Sequence, residues 1–369
     1  MRKILFYIPS FESGGAERVA SVMINYWNSK EKYEIEIVNT LPKNKDFFTI
    51  SPQISRIFLD FNYNKQGFGK IKEKFSRIRK LRKTLSNSNE DFIISFLTTP
   101  SILILLASVG LNKRIVCCEH TNYYSYGNKV SRCIRNFLYF LLADKITVLT
   151  KRDLSNYPKY LRSKIFILPN PLGVDGFKLS SEKIRDFSKD GLANSTTKFL
   201  FVGRLNREKG IERLCSILYQ IRHEDWKLSI CGDGPLRKYL EDFIDKNNLF
   251  DKVSLKGAVS NIQDYYSKAD ILLMTSLWEG LPMVIAEAMS FKLPVIAFDC
   301  PTGPRELIKD SQNGILVPDG DIDRYVQELT HLIHAPHKIE FMSRHTRNSV
   351  IKYKIEKIDE IWDQVLAKK

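Results

Sequence analysis

ILLMTSLWEGLPMVIAEAMSFKLPVIAFD, residues 271–299, reads as strand, loop, helix and strand in immediate succession. Ile271 to Thr275 is a short apolar run fit for a buried parallel strand. Gly280 breaks it, and Pro282 suits the first turn of a helix, where its missing N–H costs nothing, so a helix is predicted to begin near residue 281. The start of a helix leaves backbone N–H groups unpaired, and with the macrodipole they favour an anion such as a diphosphate. Glu279 lies just outside this helix. Glu287 lies within it, and helical side chains tilt toward the N-terminus, so it leans back toward the same end. Carboxylates repel phosphate, so their expected partners are the hydroxyls on either side of it, a ribose on one side and a sugar on the other. Spacing alone leaves a second reading open, a solvated loop acid and an ordinary surface residue of a helix.

Upstream of this stretch, Lys198 to Val202 opens a series of strand-turn-helix units: FLFVGRLNREKGIERL, KLSICGDGPLRKYL and VSLKGAV. Successive units of this kind, each turning on glycine, imply a parallel sheet. Arg204 sits just past the first strand and Lys209 near the following helix start. Fixed cations at such a place stabilise the charge that a departing nucleoside diphosphate gains. Gly232, Gly234 and Pro235 form a turn suited to lie along a nucleoside, and Gly257 to Val259 is placed to border the base. Downstream, T-G-P-R-E (302–306) follows a strand, and Arg305 either touches a substrate or pairs with a neighbouring acid. Helical spacing fills Asp321 to His334, Lys338 to Val350 and a last amphipathic segment carrying Ile355, Ile358, Ile361, Trp362 and Val365.

A second series occupies the first half. Lys3 to Pro9 is apolar, S-F-E-S-G-G-A-E-R-V-A then opens a helix, and Tyr33 to Thr40 reads as the next strand. Gly14 and Gly15 permit close backbone approach at a helix start, although G-G-A-E is not the G-x-G-x-x-G of dinucleotide sites. Further strands are expected at Phe92 to Phe96, Arg114 to Cys118 and Lys145 to Leu149, with Thr150 to Asp153 capping a helix, and Ile165 to Leu168 then leads into P-N-P-L-G-V-D. Ligands of open parallel sheets bind beyond the carboxyl ends of the strands. His120, in E-H-T-N directly after Cys118, stands at such an end, where a neutral imidazole can hold a hydroxyl by hydrogen bonding. An irregular polar stretch from Gly173 to Lys198 joins the two halves.

E-G-L-P-M-V-I-A-E (279–287) resembles the E-x7-E signature of the retaining GT-B glycosyltransferases of family 4, and the similar pattern covers roughly residues 1–320. The resemblance implies two Rossmann-like parallel-sheet domains facing across a cleft, with a C-terminal helix crossing back to the first. The expected boundaries are 1–172 for acceptor binding, 173–350 for nucleotide-sugar binding and 351–369 for the returning helix. It implies that Arg204 and Lys209 bind the donor diphosphate, that Gly14 and Gly15 face it, and that Glu287 holds the ribose. Glu279 would orient the transferring sugar, and His120, in the family's E-H segment, would hold that sugar or the acceptor. Gly203, Gly234, Val259, Gly280, Leu281, Pro282 and Met283 complete the expected donor-binding set. Family habit points to UDP as the nucleotide, and T-G-P-R-E resembles members that build bacterial surface polysaccharides.

Composition narrows the remaining classes. A chain of 369 residues with 43% apolar content can bury ample core, and its length suits two domains. No apolar run approaches the roughly 20 residues of a membrane span, and the N-terminus enters a strand pattern without a small-residue cleavage site, so a cytoplasmic protein without a signal peptide is expected. Six cysteines in no C-x-x-C pattern argue against zinc and disulfides, and are expected to be reduced core residues. No D-x-D or clustered carboxylate and histidine set suggests a divalent metal, so the reaction is expected to need neither metal nor cofactor. The formal charge of +15 divides unevenly: residues 1–170 hold 28 Lys and Arg against 13 Asp and Glu, and residues 171–369 hold 29 of each.

The densest basic stretch, Lys65 to Lys83, has Glu73 as its one acid and spaces Ile71, Phe75, Ile78, Leu81 and Leu85 along a helix. A basic amphipathic helix suits an anionic membrane surface, so peripheral attachment to the inner face of the cell membrane is expected. The plainer alternative is a stripe that packs on its own domain. Apolar residues confined to one helical face do not suit nucleic acid, which needs aromatics interleaved along a groove. The leading expectation is a metal-independent transferase moving a hexose or N-acetylhexosamine from a UDP-sugar to a polyprenyl-diphosphate-linked saccharide, in O-antigen, capsule or related polysaccharide synthesis. A sugar-nucleotide epimerase of the same fold and a basic polyanion-binding protein are the rivals.

Overall fold

The computed structural model describes residues 1–12, 14–59, 61, 68–121, 123–173, 196–301 and 303–367. Lys65, Thr302 and most of the expected linker therefore lie outside the described residues. The chain forms two compact units, residues 1–173 with 355–369, and residues 174–354.

The first unit runs β1 (Arg2–Tyr7), α1 (Gly15–Ser29), β2 (Tyr33–Asn39), β3 (Ser55–Phe58), α2 (Phe68–Ser86), β4 (Phe92–Phe96), α3 (Thr98–Ser108), β5 (Ile115–Cys118), α4 (Lys129–Leu142), β6 (Lys145–Val148), α5 (Lys151–Asn156) and β7 (Ile165–Ile167). Its seven strands lie in the order β3-β2-β1-β4-β5-β6-β7, every neighbouring pair parallel. Strands buried on both faces read as unbroken apolar runs, and FIISF of β4 and IVCC of β5 are buried at every position. The second unit runs β8 (Thr197–Val202), α6 (Ile211–Gln220), β9 (Trp226–Cys231), α7 (Arg237–Lys246), β10 (Val253–Gly257), α8 (Gln263–Lys268), β11 (Ile271–Met274), α9 (Met283–Ser290), β12 (Val295–Phe298), α10 (Pro304–Leu307), β13 (Gly314–Val317), α11 (Ile322–His334) and α12 (Pro336–Val350). Its six parallel strands take the order β10-β9-β8-β11-β12-β13.

In each sheet the strand order reverses once, between β1 and β4 and between β8 and β11. Loops leaving the sheet on either side of that reversal diverge and open a crevice at the strands' carboxyl ends.

The last helix, α13 (Ile355–Val365), joins the first unit. Trp362 meets Trp27 edge-on at 5.4 Å between ring centroids, and Ile358, Val365 and Leu366 share their core. Trp27 Nε1 donates to Asp359 at 2.7 Å, and Lys32 pairs with both Asp359 and Asp363. Lys145 Nζ donates to the carbonyl of Val365 at 2.6 Å, a cation at the negative end of the helix.

Two expectations are corrected. The basic stretch forms α2, but its stripe packs inward: Leu81 and Leu85 are buried in the first unit's core with Ile78 against it, and of the described stripe residues only Phe75, 69% exposed, departs. Several of its cations are spent locally, since Arg77 pairs with Glu73 and Arg82 donates to the carbonyls of Ala107 and Val109 at the end of α3. The plainer reading of that helix thus fits its described residues. Cys133 is exposed, unlike the other five cysteines, because it lies on the outer side of α4.

Candidate active site

The second unit gathers its site from loops after four strands. The 203–210 turn follows β8. Asn206 caps its short helical turn by accepting from the Lys209 N–H at 3.1 Å. Gly210 then adopts φ +65°, where an added Cβ would lie 2.0 Å from the carbonyl oxygen of Thr275. The segment after β11 docks onto this turn: Thr275 Oγ1 donates to the carbonyls of Lys209 and Gly210 at 2.9 and 3.1 Å, and the Leu277 N–H donates to Glu208 O at 2.8 Å. That docking brings together two residues 70 apart in sequence. Lys209 Nζ donates to Glu279 Oε1 at 2.6 Å, and Ser276 Oγ donates to the same oxygen at 2.7 Å.

Arg204 is exposed on the same turn; its carbonyl accepts from the Asn206 N–H at 2.8 Å, and its guanidinium has no ion-pair or hydrogen-bond partner among the described residues. Beside it the turns after β8 and β9 are zipped together. Gly203 N–H donates to Cys231 O, Leu205 N–H to Asp233 O, and Leu236 N–H to Leu205 O. An added Cβ would lie 1.9 Å from Gly203 O at Gly232 and 2.5 Å from Leu205 O at Gly234, so backbone contact requires glycine at both. Gly232 N–H also donates to Gly257 O at 2.7 Å, which draws in the loop carrying Val259. Gly203, Arg204, Lys209, Gly234, Val259 and Glu279 thus stand at consecutive strand ends.

Helix α9 begins at Met283 with Pro282 as its N-cap, two residues later than the sequence suggests. Gly280, Leu281 and Pro282 form the turn before it, held from behind by Gly303 at φ +101°, whose added Cβ would lie 2.3 Å from Gly280 O. Glu287 is 1% exposed, and its Oε2 accepts from Tyr266 Oη at 3.1 Å. The surface-residue alternative is therefore wrong for Glu287. A carboxylate in the interior requires hydrogen-bond donors, and Tyr266 supplies one. Arg305 pairs with Asp299, the neighbouring-acid alternative.

The first unit places its candidates separately. Gly14 is the N-cap of α1 and Gly15 its first residue, and the Glu17 carboxylate lies over Gly14. Burial raises the pKa of Glu17 above the ordinary carboxylate value. His120 stacks on Phe96 at 4.8 Å with the rings 9° from parallel, and its Nδ1 meets Asn170 Oδ1 at 3.1 Å. Its Nε2 is buried with no partner among the described residues, and burial lowers the imidazole pKa from 6.5 to about 4, the Asn170 bond opposing this in part. The ring is therefore neutral at neutral pH.

The sequence profile of the family described as Glycosyl transferases group 1 matches residues 182–355. A Haemophilus influenzae protein named an uncharacterized glycosyltransferase is 30% identical over 99% of this chain and 100% of its own length. The chain belongs to the group 1 glycosyltransferases.

A second relative of this glycosyltransferase, from Campylobacter jejuni, is 29% identical over 100% of this chain and 99% of its own. It is named GalNAc-alpha-(1->4)-GalNAc-alpha-(1->3)-diNAcBac-PP-undecaprenol alpha-1,4-N-acetyl-D-galactosaminyltransferase. Among solved structures, Anabaena HepE in complex with UDP and glucose superposes with a TM-score of 0.79 at 18% identity, over 99% of this chain and 98% of that one. The lipopolysaccharide outer core galactosyltransferase WaaB gives 0.75 at 20% identity, with 99% of each chain covered. These likenesses establish the GT-B fold: two parallel-sheet, Rossmann-like units.

Sequence reasoning about this glycosyltransferase missed several residues at its strand ends. Asn206, Thr275 and Ser276 position Lys209 and Glu279, and Tyr266 holds Glu287; the only signal was a cap residue three before Lys209. In the first unit a cavity of about 510 Å³ opens at the ends of β1 and β4, lined among others by Tyr7, Thr40, Thr98, Thr121 and Tyr126. At its edge Leu97 holds φ +73°, a conformation a branched side chain adopts at a cost of order 1–3 kcal/mol and one that clusters at ligand sites. The strand-end rule, applied to β5 to single out His120, applies equally to β4 and reaches Leu97 and Thr98.

Proposed function

We propose that this glycosyltransferase moves a hexose or N-acetylhexosamine, with retention and without a metal, from a UDP-sugar to a polyprenyl-diphosphate-linked saccharide in bacterial polysaccharide synthesis. The observation that carries the reading is the cluster at the reversal of the second sheet: Arg204 exposed, Lys209 on Glu279, and Glu287 held in the interior by Tyr266. A donor diphosphate at Arg204 and Lys209 meets two fixed cations that stabilise the charge it gains as the glycosidic bond breaks, the work a divalent ion does elsewhere. The same diphosphate competes with Glu279 for Lys209. A carboxylate released from its cation accepts hydrogen bonds from sugar hydroxyls more strongly, so engagement of the phosphate and orientation of the sugar are coupled through one ion pair.

In this reading Glu287 takes the ribose hydroxyls, and a donor phosphate oxygen accepts the acceptor's proton during front-face substitution. His120 offers Nε2 to a hydroxyl of the sugar or the acceptor, as a neutral group. The polyprenyl-linked acceptor and polysaccharide context are supported by the named activity of the Campylobacter relative, and UDP by the nucleotide bound in the HepE complex. Such an acceptor places the enzyme peripherally at a membrane, and no helix among the described residues is long and apolar enough to cross one.

Thermal stabilisation by UDP, GDP, ADP and dTDP, each with and without EDTA, tests the donor half, because a ligand that binds the folded state raises Tm. A shift with UDP that EDTA leaves unchanged and that Arg204→Ala and Glu287→Gln reduce is expected. A shift with GDP alone, or one abolished by EDTA, overturns the donor assignment or the metal-free mechanism respectively.

A further inference from the structure

Helix α4 (Lys129–Leu142) carries its polarity the wrong way round. Its exposed residues are Lys129, Val130, Cys133, Ile134, Phe137, Phe140 and Leu141, all but the first apolar. Val130, Ile134, Phe137 and Leu141 fall on one stripe at spacings of four, three and four, and are 55–65% exposed. The side turned inward holds Arg135 and Asn136, 1% and 3% exposed, beside Tyr139.

The inward side is built to hold that orientation. The Arg135 guanidinium lies over Tyr123 at 4.5 Å and Tyr157 at 5.0 Å, with Tyr126 at 5.6 Å. Asn136 Oδ1 accepts from Arg135, and Asn136 Nδ2 donates to Tyr123 Oη at 2.9 Å. Tyr139 Oη donates to Glu119, whose other oxygen accepts from Thr98 Oγ1 at 2.6 Å. A buried guanidinium with this many aromatic and hydrogen-bonding partners fixes which face of the helix looks out. The apolar stripe is therefore a constructed surface.

The segment that carries it is cationic at its surface. Residues 120–164 have Lys129, Lys151, Arg152, Lys159 and Arg162 exposed and Arg132 and Lys164 half-buried, against one exposed acid, Asp144. Two of the cations mark the rim of the stripe: Arg132 lies over the exposed ring of Tyr124 at 5.4 Å, and Lys164 over Phe140 at 5.8 Å while donating to the Phe140 and Ala143 carbonyls. Exposed Tyr160 packs edge-on against Phe140. Aliphatic and Phe side chains at the centre, with aromatics and cations at the margin, match the layers of an anionic bilayer surface, hydrocarbon below and phosphate headgroups above.

We propose that α4 is the element that enters the membrane interface, its Val130-Ile134-Phe137-Leu141 stripe lying in the acyl boundary of an anionic leaflet. The proposal rests on the polyprenyl-linked acceptor reading and replaces α2 as the membrane-facing helix. Among its described side chains, α2 packs its stripe on its own unit and leaves polar and charged residues outside, Phe75 apart.

Cys133 supplies a reporter on this face, since the other five cysteines are buried. The full chain, labelled there with an environment-sensitive fluorophore, is mixed with phosphatidylcholine vesicles with or without phosphatidylglycerol, none containing a polyprenyl lipid. The expected result is cosedimentation with anionic vesicles, a blue shift of the label, and quenching by spin labels on the acyl chains. Ile134→Asp with Phe137→Asp should lower the partition coefficient about tenfold or more. Cosedimentation with an unchanged label places the contact elsewhere and overturns the proposal, as does no cosedimentation. A concentration-dependent dimer that the same double substitution dissociates assigns the stripe to a second copy and also overturns it. Vesicles without acceptor make these outcomes independent of the transfer reaction, whose donor half is read separately from the Tm shift with UDP.

Discussion

The two sheets reverse their strand order at equivalent places but furnish the crevice differently. At the β8/β11 reversal the loops are drawn tight: glycines 210, 232 and 234 are required because backbone oxygens would sit about 2.0, 1.9 and 2.5 Å from any Cβ, and the groups brought to the surface are a lysine-glutamate pair and an exposed arginine. At the β1/β4 reversal, among the described residues, Gly15 has nothing within 4 Å of an added Cβ, and Gly14 meets only the end of a flexible glutamate. There the loops enclose a cavity of about 510 Å³ lined largely by hydroxyls and apolar side chains. One topology thus yields a tight, charged turn and a roomy, mostly neutral hollow. What differs is how closely the loop backbones approach.

Gly210→Ala should break the comparison most severely. It forces Cβ into Thr275 O at a positive φ, and a loss of about 3 kcal/mol or more in the second unit's unfolding free energy is expected from denaturant titration. Lys209→Ala should leave the fold intact and lower kcat about 10²–10³-fold, the usual consequence of removing one group aimed at developing charge. If kcat is unchanged and only the KM for donor rises, the lysine binds ground state and transition state alike.

A smaller effect is expected at His120. Its folded pKa is depressed to about 4 from an ordinary 6.5, so the neutral ring's contribution is present above pH 6.5 and is lost as pH falls toward 4. Wild-type Tm should fall over that window by several degrees more than the Tm of His120→Gln. Equal slopes would show that the imidazole titrates normally. Gly15→Ala is the smallest, expected within about 0.5 kcal/mol of wild type because a helix-start alanine there meets open space. A large loss at Gly15 would erase the contrast between the two turns.

Much of this architecture was legible because doubly buried parallel strands leave unbroken apolar runs, as in FIISF and ILLM. Among the strands that went unread, Ser55–Phe58 is SRIF at the sheet's edge, with no fully buried position. Lys209 and Glu279 were each legible from their places beside glycine turns. Their pairing was not, since it depends on Thr275 and Leu277 docking onto a turn 65 to 69 residues earlier. Helix α4 shows a deeper limit. Periodicity reveals that a helix has an apolar face, but only the cage around Arg135 decides that this face looks outward.

Helix α13 gives the first unit a discontinuous chain, and that has a consequence for synthesis. Residues 355–367 leave the ribosome only after the whole second unit has been made, so Trp27 and its neighbours on α1 and β2 spend that interval with their covering helix still untranslated. The second unit can close while the first waits with an apolar flank open. For the nascent enzyme, the hazard of aggregation therefore lies in the half that was translated first.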